Sequence, residues 1–487
     1  MIWVMTVDSR TAPATAAPPT SMGGRAKLVL FVLCAAQFAV ALDFSILNVA
    51  LPVLGHDLGL GEADLQWAVT AFALPSGGFL LLFGRIADLY GRRRLFLTGL
   101  ALFTLASVLA ALAWGPVPFL AARALQGLGA AIIVPTGLSL LTTSFPEGPQ
   151  RDRALGISGT LLSLGFTVGM VFGGVLTSAL GWRSTMALNV IMGALVLVAA
   201  PLLLTEHRPT DRPRLDVPGA VTVTGGLLAL IYSLSTAAQR GWGHPDVLGT
   251  LVAAVALLAA FVLIESRATA PLVSLRVLRR RSVAWGNLGG LTTFAMMSSV
   301  IFLSTLYLQQ VRGLSPLASG LLFGVMGLGA AVAGTVAPRL VGRFGPRTVL
   351  VSGLTLQAAC TALLLATGPH GAVPVVLLTA AGTVACMGHL GAIVSYGITA
   401  TSGLANHEQG LATGLVTTAQ QVGLTLGIPI LSALAAAHTT GLRHAGTPST
   451  PAMLSGIHLG LAADAALVLA VALLIALFLR ARPVKID

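Results

Sequence analysis

The chain has 487 residues, of which 55% are hydrophobic and only 9% charged. Soluble proteins carry about 25% charged residues, so this composition excludes an ordinary soluble fold and points into the bilayer. The formal charge of +12 invites a nucleic-acid reading, but the cations sit between apolar runs on alternate sides, which argues for membrane topology instead.

Residues 1–24 are rich in Thr, Ala and Pro and lack the apolar core of a cleaved signal peptide. The segment 1–26 therefore reads as a disordered cytoplasmic tail, with the first apolar run kept in the mature protein. A helix rises about 1.5 Å per residue, so about 20 apolar residues cross about 30 Å of hydrocarbon. Runs of that length lie near 28–51, 65–83, 95–114, 118–141, 154–180, 186–204 and 217–238. Seven more follow near 247–264, 282–308, 316–337, 349–366, 372–395, 410–437 and 454–479. None alternates as a barrel strand does. The expected fold is all-α and integral to the membrane, with fourteen transmembrane helices.

With the N-terminus taken as cytoplasmic, 23 of the 28 Lys and Arg fall on the side of the two tails. Arg183, Arg240, Arg312 and Arg443 fall on the other side, and Arg123 lies within a span. This positive-inside bias predicts that both termini are cytoplasmic. Arg outnumbers Lys 26 to 2, which with the Ala and Gly content points to a GC-rich bacterial genome and a bacterial inner (cytoplasmic) membrane. Cys34, Cys360 and Cys386 all fall in apolar runs and make neither a disulfide framework nor a metal site.

An internal repeat divides the chain. Gly156, Gly165 and Gly169 share their spacing with Gly414, Gly423 and Gly427, 258 residues later, and Gly91 matches Gly345 at an offset of 254. Spans 1–6 then correspond to spans 9–14. The expected divisions are an N-terminal six-helix half at 27–204, an inserted helix pair with its linkers at 205–283, a C-terminal six-helix half at 284–480 and a tail at 481–487. Two halves around a midplane site is a transporter plan; a duplicated membrane scaffold is the plainer alternative.

Three formally charged residues lie well inside the spans: Asp43, Arg123 and Asp464. Each costs on the order of 3 kcal/mol at a helix centre, so each calls for a compensating role. Burial disfavours the charged form of a carboxylate, which makes Asp43 a proton carrier or, more plainly, a hydrogen-bonded structural Asp. Arg123 stays charged and either biases a carboxylate or snorkels to the interface. Asp464 is a second proton site, a contact for a cationic substrate, or a group paired with His458. Trp67, Gln126, Gln309 and Gln420 are candidate cavity groups, with interhelical hydrogen bonding as the alternative.

The loop after span 2 reads Gly84-Arg85-Ile86-Ala87-Asp88-Leu89-Tyr90-Gly91-Arg92-Arg93-Arg94. It resembles the loop 2–3 signature of the major facilitator superfamily. Arg123 to Ala130 resembles that superfamily's span 4 signature, and Gly156, Gly165, Gly169, Gly173 and Gly174 resemble its antiporter glycine motif in span 5, with Met170 where the family usually has proline. The surroundings of Asp43, Leu65-Gln66-Trp67, Gly181-Trp182-Arg183 with Asn189, Asp216 to Gly219 and Leu308 to Pro316 are similar to the fourteen-helix drug:proton antiporter branch.

The resemblance implies a major-facilitator fold, proton coupling through Asp43 and Arg123, and a conformational latch of Gly84, Asp88, Gly91 and Arg92 that meets the start of span 11 near Pro346; Asp464 joins the proton-coupling candidates on its place inside a span alone. It also implies export of drugs, antibiotics or other lipophilic small molecules by alternating access, driven by the proton gradient with no cofactor. A permease importing a nutrient is the second reading. An enzyme is the third: no nucleophile motif, metal-ligand cluster or phosphate loop is present. The expected partners are a small-molecule substrate, protons and lipid, with no nucleic acid, and a monomer suffices.

Overall fold

The computed structural model describes residues 22–61, 64–145, 149–206, 216–268, 275–402 and 406–479. Residues 1–21 and 480–487, which hold most of the two expected tails, lie outside the described residues. The helices are α1 (Gly24–Leu58), α2 (Leu65–Gly78), α3 (Leu80–Tyr90), α4 (Arg92–Ala111), α5 (Pro116–Ser144), α6 (Pro149–Leu180), α7 (Arg183–Leu203) and α8 (Val217–Arg240). They continue as α9 (Pro245–Arg267), the single turn α10 (Leu275–Leu278), α11 (Arg281–Leu306), α12 (Pro316–Phe344), α13 (Pro346–Leu363), α14 (Val373–Thr401), α15 (Asn406–His444) and α16 (Ser449–Phe478).

Among the described residues thirteen helices are long and apolar enough to cross a membrane. The pair α2 and α3, bent by 44° at a break, makes a fourteenth when taken as one span. The expected all-α membrane fold is therefore found. Hydrocarbon offers a backbone no hydrogen-bond partners, so each segment closes its own bonds as a helix. Proline stands in the first turn of α5, α8, α9, α12, α13 and α14, where its missing N–H costs nothing. Pro75 sits inside α2, just before the break, where it removes a bond and favours the bend.

The repeat appears in the packing. α1 packs on α6 as α11 packs on α15, and α4 packs on α5 and α7 as α13 packs on α14 and α16. Glycines set the first of these contacts. A Cβ added at Gly173 of α6 would stand 2.7 Å from the Ile46 carbonyl oxygen, and one at Gly169 2.9 Å from that of Leu42. On α15, a Cβ at Gly423 would stand 2.5 Å from the Leu291 carbonyl oxygen, and one at Gly427 would fall nearer still to that of Ala295. Small residues are what let these backbones touch.

Gly91 and Gly345 open α4 and α13 with φ of 105° and 81°, a region that favours glycine. Two residues on, Arg93 donates from Nη2 to the Pro201 carbonyl near the end of α7 (2.8 Å), as Arg347 does to the Ala476 carbonyl near the end of α16. The halves meet where α6 packs on α12 and α2 on α15. The extra pair α8 and α9 pack on each other, and α8 also covers the α2–α15 seam. Val252, Val255, Val262 and Leu263 of α9 are exposed, as a lipid-facing helix requires.

Candidate functional site

Asp43, at mid-depth in α1, and Arg123 in α5 are wholly buried and form an ion pair at 2.7 Å. Asn189 of α7 donates its Nδ2 to the second carboxylate oxygen. Arg123 also donates from Nη1 to Gln126 Oε1 (2.9 Å) and from Nε to the Ala68 carbonyl on α2 (3.1 Å). Gln126 in turn donates to Ser107 Oγ on α4 at 2.8 Å. Five helices converge on one pair of charges.

Dry burial costs several kcal/mol per ion unless pairing and further hydrogen bonds offset it, and here both are supplied. The guanidinium also lies over the Phe72 ring, 4.6 Å from its centroid. Arg123 thus turns inward to a carboxylate rather than out to the interface. Its Nη2 and the Asn189 Oδ1 have no partner, which leaves one donor and one acceptor able to re-pair if Asp43 takes a proton.

Beside this network lies a cavity of about 400 Å³ between the two halves. Its walls are largely apolar: Phe44, Phe72, Phe166, Phe294, Phe323 and several methionines, with Gln37, His389 and Gln420 among the polar members. Phe44 follows Asp43 in sequence and Phe72 lies under Arg123. Their rings are 6.4 Å apart, and Phe166 is 5.6 Å from Phe44. The aromatic wall therefore has the ion pair on one side and the cavity on the other.

With α2 and α3 counted as one span, fourteen crossings put the start of α1 and the end of α16 on the same face. The cavity takes residues 37–44 of α1, 155–170 of α6 and 416–425 of α15, from the middle and tail-side parts of these helices. Towards the opposite face the halves are joined. Gln309 donates to the Val49 carbonyl (2.9 Å), the Leu317 amide donates to Ser178 Oγ (3.1 Å), and Ser432 bonds Gln66. A Cβ at Gly174 would stand 2.5 Å from the Pro316 carbonyl oxygen across the α6–α12 contact. On that face Asp57 also accepts from Trp182 Nε1 (2.7 Å) and from Arg183 (2.6 Å), tying α1 to the α6–α7 turn.

A family model described as Major Facilitator Superfamily matches residues 33–428 and 319–487. The chain belongs to the major facilitator superfamily. It is 39% identical to the cephamycin export protein CmcT of Amycolatopsis lactamdurans, over 87% of each chain. It is also 39% identical to the puromycin resistance protein pur8 of Streptomyces alboniger, over 84% of this chain and 82% of that one. The tetracenomycin C resistance and export protein of Streptomyces glaucescens is 34% identical, over 89% and 80%. Among solved structures, the POT family transporter PepTSo has a TM-score of 0.67 at 14% identity, covering 93% of this chain and 98% of that one. An inward-facing bacterial homolog of the lysosomal transporter Spinster has a TM-score of 0.61 at 16% identity, over 94% and 97%. At such identities the likeness shows the fold alone. As a member of this superfamily the chain is a multi-pass membrane transporter and not an enzyme.

The major-facilitator signature loop spans the α3–α4 turn. Gly84 lies in α3, Gly91 makes the turn, and Arg92 opens α4. The side chain of Asp88 lies outside the described residues. The contacts described for the turn run within its own half: the backbone amides of Arg93 and Arg94 donate to Glu206 (3.3 and 3.1 Å), just beyond α7. A Cβ at Gly91 would meet that same carboxylate at 2.7 Å. Glu206 was not among the sequence candidates; its signal is an acidic residue at the start of the charged segment that follows span 6.

Of the glycines that resemble the antiporter motif, Gly165, Gly169 and Gly173 contact α1, and Gly174 contacts α12 across the halves. Met170 lines the cavity. The four candidate cavity groups separate. Gln420 lines the cavity. Gln126 belongs to the Arg123 network, Gln309 bonds Val49, and Trp67 packs against Tyr232 of α8 with centroids 6.0 Å apart. Asp464 is wholly buried in α16, in the other half from Asp43 and Arg123. His458 bonds Thr367 at 3.2 Å rather than Asp464.

Proposed function

We propose that the chain is a proton-coupled exporter of lipophilic small molecules, seen with its cavity facing the cytoplasm. The observation that carries this reading is the wholly buried Asp43–Arg123–Asn189 network, set behind an aromatic wall of a largely apolar cavity. The positive-inside bias supports cytoplasmic termini in the bacterial inner membrane, and with them a cavity that loads from the cytoplasm. Aromatic and methionine walls suit apolar substrates of varied shape. The antibiotic-directed names of the relatives support export of compounds of that class.

In this account the ionised Asp43 cancels the charge of Arg123 and holds α1, α5 and α7 together. When the carrier has turned outward, a proton from outside neutralises Asp43. The freed guanidinium keeps its bond to Gln126 and turns to the unpartnered Asn189 Oδ1, Phe72 shifts with it, and the cavity wall loosens its hold on the drug. Return to the inward state restores the ion pair and releases the proton inside. A charge moving inward through 100 mV gains about 2.3 kcal/mol, so no cofactor is needed, and one monomer completes the cycle.

The test uses inside-out vesicles with an acidified lumen and a lumenal pH dye. On addition of puromycin or tetraphenylphosphonium, wild type is expected to release lumenal protons and Asp43→Asn is not. Equal proton release from both would overturn the assignment of Asp43.

A further inference from the structure

Asp464 stands near the centre of α16, wholly buried, and neither of its carboxylate oxygens has a hydrogen-bond partner. Among the described residues no cation pairs with it. Arg347 reaches α16 at Ala476, 12 residues along and so about 18 Å away by helical rise. His438 meets α16 at Ser455, about 14 Å along, and His458 bonds Thr367 about 9 Å along. On the packed elements the other titratable groups, Cys360 of α13 and Tyr307 beyond α11, make no described bond to Asp464; Tyr307 bonds the Gly368 carbonyl. The exposed groups Arg281, Arg443 and His444 lie near helix ends.

The nearest polar surroundings are themselves incomplete. Thr361 of α13 faces Asp464, yet its Oγ1 has no closed hydrogen bond. One turn away on the same face of α13, the Nε2 of Gln357 is also unpartnered. Four buried polar atoms, two from Asp464 and one each from Thr361 and Gln357, thus lack partners. A bridging water needs two to four such partners.

A chain of hydrogen bonds joins this cluster to the cavity. Thr293 of α11 donates to Gln357 Oε1 at 2.8 Å and lies 2.8 Å from His389 Nδ1, and His389 lines the cavity. The single hydroxyl proton of Thr293 is spent on Gln357, so His389 donates through Nδ1–H and its Nε2 remains an acceptor. The hydrogen-bonded part of the track runs His389, Thr293 and Gln357, and Thr361, one turn further along α13, faces Asp464.

We infer that Asp464 is a second proton-binding carboxylate, loaded from the cavity along this track. Cavity water delivers a proton to the carboxylate, giving the neutral acid, and the same water takes it back; no other reactant enters. The inference extends the proton-coupled reading by giving the C-terminal half its own site, so that one cycle moves more protons than Asp43 alone carries.

Infrared difference spectra of the purified, lipid-reconstituted protein, taken as the buffer is stepped between alkaline and acidic, test it without a substrate. The wild type is expected to show a carboxylic-acid carbonyl band that answers to the step. That component is lost in Asp464→Asn, kept in Asp43→Asn, moved in frequency in Asp464→Glu, and delayed in Gln357→Leu. Asp464→Glu keeps the test open if the Asn variant misfolds. A component unchanged in folded Asp464→Asn, or one that ignores the pH step, overturns the inference. Drug-driven proton release in the same preparation judges the Asp43 reading separately.

Discussion

Taking the charge off Asp43 leaves Arg123 buried without its counterion. Asparagine fills the same volume, so the effect of Asp43→Asn is electrostatic, and losing one partner of a buried pair costs about 3–5 kcal/mol. A lowered melting midpoint in detergent is therefore expected along with loss of coupling. Adding Arg123→Gln is expected to recover part of the stability and none of the transport. An unchanged midpoint in the single variant would mean that the pair is not as dry as its burial indicates. The two charges were legible because each interrupts an apolar run. Their pairing was not: 80 residues separate them, and no local pattern specifies which helix faces which. Asn189 was visible only as part of a resemblance, and Ser107 carried no signal, since a serine in a span usually bonds its own helix, as this one also does at Phe103.

At the scale of the element, the repeated glycines differ in what they do, and substitution separates them. A Cβ at Gly427 would collide with backbone, which cannot give way, so Gly427→Ala is expected to destabilise by about 1–3 kcal/mol. Gly156 has open space around its added Cβ, so Gly156→Ala is expected to be neutral or stabilising by about 0.5–1 kcal/mol. Melting midpoints of the two variants check this, and equal effects would contradict the packing described. Spacing alone revealed the repeat, but not that Gly156 and Gly414, the first glycine of each run, make no close contact. Glu206 supplies another test. Its carboxylate accepts two amides at the start of α4, an N-terminal interaction whose loss in Glu206→Ala is expected to cost about 0.5–2 kcal/mol. Because the signature loop hangs on it, slower turnover at unchanged drug binding is also expected; unaltered turnover would leave Glu206 a cap and nothing more.

For the whole molecule, the number of spans and the two-fold plan were legible from length and periodicity, because bilayer thickness fixes helix length and hydrocarbon forbids unsatisfied backbone. The conformational state was not, since inward and outward arrangements use the same helices and differ in which ends meet. The joined ends at Gln309 and Val49 and at Ser178 and Leu317 lie away from the chain termini. In a background with the three cysteines replaced, Ser158→Cys and Gln420→Cys, both in the cavity wall, are expected to react with a membrane-impermeant thiol reagent from the cytoplasmic side and to be protected from outside. Labelling only from outside would reverse the orientation and with it the direction of transport.

The central claim, that Asp43 couples a proton to drug export, is tested most directly in inside-out vesicles with an acidified lumen. Puromycin or tetraphenylphosphonium is added while lumenal pH is followed for wild type and Asp43→Asn in parallel. The account predicts substrate-triggered alkalinisation in wild type and none in the variant at equal protein and correct orientation. Alkalinisation of equal size in both would contradict it.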